Sequence, residues 1–208
     1  MTRPGGRGWT CILACALFLQ ACAGVYTRPS EKGDEAAYRE RAARLSAIEQ
    51  WGFSGKLSLD DGEQGGSGSL RWSTGPASTT LDFRGALGRG AWQLLITPAE
   101  AVLTEADGNV YAAPGVEGLV HDRIGWVVPV DALAWWVRGL EAPGDVDAAE
   151  LDAEGRLLRL EQLDWEIEFS RYRAFSGESL PARLEARRDA YRVKLAVGRW
   201  RLGPGDGE

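Results

Sequence analysis

Cys22 is the residue in this chain whose neighbours best suit a covalent step. It closes the run Leu19-Gln20-Ala21-Cys22, with an apolar residue three positions before the thiol and a small one directly before it. That is the pattern of a bacterial lipobox, whose cysteine receives diacylglycerol. Arg3 and Arg7 precede an apolar stretch from Thr10 to Leu19, and small residues follow, which are the charged, apolar and cleavage regions of an export signal. The stretch is too short to span a bilayer. Cys11 and Cys15 lie inside the segment to be discarded, so cleavage before Cys22 leaves a mature chain with one thiol. One thiol permits neither an internal disulfide nor a cysteine zinc site. The alternative, an ordinary secretory signal that happens to contain cysteines, leaves an unpaired thiol on an exported protein, which is uncommon. Ala23 rather than Asp follows the cysteine, a choice that in such lipoproteins implies sorting to the outer membrane.

Elsewhere the search for catalytic chemistry finds little. His121 is the single histidine, beside Asp122 on a helical pattern, and no Gly-x-Ser-x-Gly elbow exists for it to serve as a base. One histidine with scattered carboxylates does not make a metal site. Gly52-Phe53-Ser54-Gly55-Lys56 lacks the spacing, the following Ser or Thr and the helix of a phosphate loop. Glu166 and Glu168 share one face of a strand opposite Trp165, Ile167 and Phe169, the arrangement of a solvated sheet face rather than of a glycosidase pair across a cleft. The expectation is a protein that is not an enzyme and uses no cofactor and no metal.

What the chain has instead is apolar capacity. It carries nine tryptophans, most of them in the apolar phase of a strand, where they build a core or line a cavity for an apolar ligand. Candidates for such a cavity or for its lid are Trp72, Trp92, Leu133, Trp135, Trp136 and Trp165. Trp135 and Trp136 are adjacent on a helix and diverge by about 100°, so one of them belongs at the rim. The loop Gly85-Ala86-Leu87-Gly88-Arg89-Gly90 sets one leucine among glycines, either tucked back on the sheet or offered to an apolar surface outside.

The elements that must position these groups read as mostly β. Twenty-seven Gly and nine Pro favour turns over long helices. From Ala23 to Gly33 the composition suits a tether. Asp34 to Gln50 is an amphipathic helix with Tyr38, Ala42, Leu45 and Ile48 on one face and Arg39, Arg41 and Arg44 largely elsewhere. Strands are expected from Trp51 to Leu59, at 67–72, 79–84, 91–97, 101–105 and 110–113, and again at 148–151, 156–163, 165–169, 182–187 and 191–197. Two short helices interrupt the run, Val116 to Ile124 and Ala132 to Arg138, the second with Asp131 as N-cap and Gly139 as stop. Lys and Arg number 24 against 30 Asp and Glu, for a formal net charge of -6 that excludes a broad nucleic-acid footprint. Yet the segment from Arg171 to Arg201 holds nine basic residues and three acidic ones, a bias expected either to face the mouth of a barrel and align the carrier or to coat the outward strand faces.

Trp51-Gly52-Phe53-Ser54-Gly55-Lys56-Leu57, Gly68-Ser69-Leu70-Arg71-Trp72, the loop from Gly85 to Gly90, Val128-Pro129-Val130 running to Trp136-Val137-Arg138-Gly139, and Leu180-Pro181-Ala182-Arg183-Leu184 resemble, in order, the LolB family of outer-membrane lipoproteins. The resemblance implies an incomplete antiparallel β-barrel, here of about ten to eleven strands, with an α-helical lid over an apolar cavity for acyl chains. It implies lipoprotein acyl chains, the periplasmic carrier LolA and outer-membrane phospholipid as partners, a monomer, no nucleic acid and no covalent chemistry. Leu87 matches the apolar tip of the family's membrane-insertion loop, flanked by Gly85 and Gly88, while Ala86 stands where that loop usually has proline. The corresponding domain plan is a signal at 1–21, a lipidated tether at 22–33, one β-barrel domain at 34–203 and a tail at 204–208. A structural envelope lipoprotein without a cavity, or a lipid hydrolase, for which no nucleophile and base are found, are the competing readings.

Overall fold

The computed structural model describes residues 33–86 and 90–203. Period-two alternation of apolar and polar residues carries most of them into strands. These are β1 (Trp51–Asp60), β2 (Gly65–Thr74), β3 (Thr79–Gly85), β4 (Trp92–Ile96), β5 (Ala101–Glu105) and β6 (Val110–Ala113). After two helices come β7 (Ala148–Leu151), β8 (Leu157–Gln162), β9 (Trp165–Phe175), β10 (Glu178–Arg188) and β11 (Tyr191–Leu202). Every pairing is antiparallel and the lateral order is β6-β5-β4-β3-β2-β1-β11-β10-β9-β8-β7. Two meanders are therefore joined where the first strand pairs with the last, and β6 and β7 form the two edges of an open, unclosed sheet. Mainly β structure with eleven strands and three helices agrees with the incomplete barrel that the resemblance implies.

Several strands run past their expected ends, for local reasons. β11 continues from Val197 to Leu202 because its register against β1 shifts. Ser54 faces Arg199 and Gly55 faces Val197, which leaves Gly198 as an extra residue. This bulge reverses the side-chain phase, so Val193, Leu195 and Val197 are buried at odd positions and Trp200 at an even one. A strict two-residue period cannot follow such a reversal. β9 likewise passes Phe169, where buried alternation stops, through Arg171 at φ 56.

The helices are α1 (Glu35–Ser46), α2 (Val116–Ile124) and α3 (Val130–Trp136). α1 is shorter than the stretch to Gln50 and begins at Asp34, whose carboxylate accepts from the N–H groups of Ala36 and Ala37, both at 2.9 Å. Arg41, expected on the polar face, is buried at 4% exposure. Its guanidinium donates to the carbonyls of Gly139 (2.8 Å), Arg138 (2.9 Å) and Ser179 (2.9 Å). Arg138 reciprocates, donating to Leu45 O (3.2 Å) in the last turn of α1 and to Ala134 O (3.0 Å) in α3. Each cation thus sits at the carbonyl end of a helix, where the dipole favours positive charge. Burial lowers Arg41 and brings Arg138 down to about 10, which leaves Arg138 charged at neutral pH. Gly139 follows with φ +71, and a Cβ there would stand 2.8 Å from Tyr172 Oη, which makes glycine the fitting residue for the turn.

α3 starts one residue before the expected cap. Pro129, not Asp131, is the N-cap and lends no side chain, so the Glu117 carboxylate of α2 reaches across to accept from Val130 N–H at 2.9 Å. Both helices pack on the inner face of the sheet. Val116, Leu119, Val120, Val130, Leu133 and Trp136 belong to the same apolar cluster as Phe53, Leu70, Trp72, Leu103, Ile167 and Leu195. Gln162, fully buried, binds this layer to β8. Its Oε1 accepts from Trp136 Nε1 (3.0 Å) and Ala142 N–H (3.0 Å), while its Nε2 donates to the carbonyls of Ala142 (2.8 Å) and Asp145 (3.2 Å).

Candidate functional site

Antiparallel order gathers the ends of β1, β3, β5 and β10 and the starts of β2, β4, β6 and β11 at one end of the sheet. The opposite end is closed by aromatic rings. Trp51, Phe53, Trp72 and Trp200 pack with centroids 5.2 to 6.0 Å apart. Arg138 caps them, held between the rings of Trp51 at 5.0 Å and Trp135 at 4.8 Å. Their indole N–H groups turn to polar partners, Trp72 to Thr74 Oγ1 at 3.0 Å and Trp200 to Pro181 O at 3.4 Å.

The end that carries the β3–β4 loop holds a cavity of about 740 Å³, within the roughly 300–1,000 Å³ of small-molecule sites. Leu59, Phe83, Trp92, Ile124, Trp126 and Val193 supply apolar wall. Phe83 stacks on Trp92 at 5.4 Å, and Trp126 meets Trp92 edge-on at 5.6 Å. Trp126 is buried, and its indole N–H has no partner among the described residues. The rim is polar, with Asp60, Asp61, Glu105 and Asp107 against Arg123 and Arg192. Arg123 lies 3.7 Å above the Tyr111 ring. Asp61 is held below the usual carboxylate range by the N–H groups of Gln64 and Glu63. The apolar part of this lining is what the cavity offers a ligand. It can remove apolar surface from water, worth about 25 cal/mol per Å².

Of the residues singled out in the sequence, Trp92 borders this cavity. Trp72, Leu133, Trp136 and Trp165 are packed at 0 to 1% exposure, and Trp165 is covered by the Arg188 guanidinium at 5.0 Å. Trp135 is the half-buried member of the adjacent pair and sits at the closed end with Arg138. Gly85 ends β3 at the cavity end. Leu87 and Gly88, like Cys22, lie outside the described residues. Of the nine basic residues from Arg171 to Arg201, Arg192 alone lines the cavity. Phe83, Trp126 and Ile124 were not singled out. The hairpin ladder could have found Phe83, since it fixes which strand ends share the end that carries the 85–90 loop.

The family model for "Outer membrane lipoprotein LolB" matches residues 49–200. The outer-membrane lipoprotein LolB of Pseudomonas syringae pv. syringae (strain B728a) is 35% identical over 191 residues, 91% of this chain and 93% of that one. LolB of Pseudomonas aeruginosa (strain LESB58) is 35% identical over 184 residues, 88% and 90% of the two chains. Among solved structures, a LolA superfamily protein from Nitrosomonas europaea superposes with a TM-score of 0.52 at 8% identity, covering 83% of this chain and 94% of its own, a likeness of fold alone. The matched region runs from just before the Trp51 strand to Trp200 and so takes in the sheet, the two inner helices and the cavity: the chain belongs to the LolB family of outer membrane lipoproteins.

Proposed function

We propose that this protein accepts lipoproteins from the periplasmic carrier LolA, holds their acyl chains in the cavity walled by Phe83, Trp92 and Trp126, and releases them into the outer membrane. The observation that carries this reading is the apolar cavity opening at the strand ends beside the 85–90 loop, with the other end of the sheet filled by aromatic rings. Each buried CH₂ contributes ~0.8 kcal/mol, so a triacylated cargo needs a continuous apolar path between carrier and bilayer. No ATP is required if affinity rises from donor to acceptor to membrane. Diacylglycerol on Cys22 supplies residence at the periplasmic face of the outer membrane, residues 22–33 the tether, and residues 34–203 the transfer domain. Leu87 enters the acyl boundary at delivery.

The test is transfer itself. The Cys22→Ala chain, exported through a conventional signal and so unacylated, is mixed with LolA loaded with a lipoprotein, and cargo is followed by size and immunoblot. Cargo should move to this chain, and Trp92→Glu, which puts a charge into the wall, should reduce the transfer at least tenfold. A folded chain that takes no cargo would overturn the reading and leave a scaffolding role.

A further inference from the structure

The outer face of the sheet carries a charge pattern apart from the cavity, with no lining residue in common. Paired residues form a continuous lateral row across six strands: Ser170 in β9, Arg183 in β10, Ala196 in β11, Lys56 in β1, Ser69 in β2 and Arg84 in β3. The next row places Arg199 in β11 and Arg71 in β2 on either side of Ser54 in β1. Cations and small residues thus alternate, with cations two strands, or roughly 10 Å, apart. This avoids like charges directly opposite one another, which destabilise a ladder. It also leaves a gap between each pair of cations wide enough for an anion.

Lys56, Arg71, Arg84 and Arg183, together with Arg171 and Arg173, surround a depression of about 730 Å³ whose acidic lining residue is Asp82. Asp82 stands opposite Arg71 in the β2–β3 ladder and accepts from Gln93 Nε2 at 2.8 Å, so one carboxylate faces six cations. All six cations are exposed, and none forms an ion pair among the described residues. Nearer the cavity end the same face neutralises itself. There Glu185 binds Arg187, Arg192 and Lys194, and Arg159 binds Glu166 and Glu168. Six cations without an ion pair among the described residues are thus gathered in one region of a chain whose formal net charge is -6.

We propose that this face docks on the anionic phospholipid headgroups of the bilayer in which the protein is anchored. A protein partner would call for an apolar centre with aromatic anchors, whereas here serine, alanine and glycine lie between the cations. A spread of equal charges over a broad face matches a plane of phosphates. The row ends at Arg84, beside Gly85 at the end of β3, so a sheet laid down on this face brings the end of β3 to the same plane. The interaction is independent of cargo.

The experiment uses the unacylated Cys22→Ala chain and sedimentation with vesicles of phosphatidylcholine, alone or mixed with phosphatidylglycerol. Binding should require phosphatidylglycerol and fall as salt rises. Replacing Lys56, Arg84 and Arg183 together by Gln should weaken it about fivefold per cation, on the order of a hundredfold in all. Arg159→Gln, in the neutralised region, should change it less than twofold. Equal binding to both vesicle types, no binding, or an unaltered triple variant with an unshifted melting curve would overturn the proposal. So would a triple variant that fails to take cargo from loaded LolA without vesicles, since that would assign the face to the carrier. Failure of the unsubstituted Cys22→Ala chain to take cargo bears on the transfer reading alone.

Discussion

Leu87 shows how one side chain can be assigned a task by its neighbours in sequence. Gly85, Gly88 and Gly90 surround it and offer no side chain to pack on, while Arg84 and Arg89 flank the segment with positive charge. Burial of one leucine contributes about 1.5 to 3 kcal/mol, enough to bias a tethered domain toward the bilayer and too little to hold it there. Leu87→Glu is expected to change unfolding free energy in urea by less than about 0.5 kcal/mol, as at an ordinary surface position. The variant should accept cargo from LolA normally and insert it into vesicles more slowly. A loss of several kcal/mol would put Leu87 in the core and take it out of delivery. Gln162 illustrates the opposite situation, a side chain with all its polar atoms engaged inside the fold. Its four hydrogen bonds fix the end of α3 and the loop after it against β8.

Among the elements, the inner helix pair is tied by a hydrogen bond across the turn between them. α3 has no capping side chain of its own, and the Glu117 carboxylate of α2 takes the place of one at Val130 N–H. Glu117→Ala should therefore cost about 1 kcal/mol, the usual worth of an N-cap, and Glu117→Gln should restore most of it. Urea unfolding measures the first difference, and amide exchange at Val130 shows whether the turn opens. Equal stability of the two variants would show that the contact contributes nothing. The strands themselves were legible because each pairs with its neighbour in sequence, so alternation and turn residues place nearly all of them. What the alternation concealed has a physical cause in each case. The Gly198 bulge inverted the phase that would have revealed Trp200. Arg41 reads as polar surface until the carbonyls that surround it are in place. The cavity-lining rings were the least legible. Trp72 and Trp92 share the inward phase, and only position along the barrel axis separates a ring in the closed end from one at the mouth.

At the scale of the whole molecule, charge and connectivity both depend on one pairing, that of β1 with β11. It brings Lys56 beside the basic strands β9 to β11 and makes one sheet of two meanders. Removal of residues 191–208 should leave β1 and β10 with bare edges and abolish the cooperative unfolding transition, measured by circular dichroism, rather than lower its midpoint. A truncated chain that still melts cooperatively would show that either meander is stable without the seam. The same pairing sets a timetable. Chains are made N-terminus first, so β1 emerges early and must wait until about 130 residues later for its second neighbour. During that interval the growing molecule exposes an unpaired strand edge beside Trp51, Phe53 and Leu57, a template for association with other chains. Completion of the final twelve-residue strand is thus the event that ends this exposure, and a chain interrupted anywhere before it remains recognisable as unfinished.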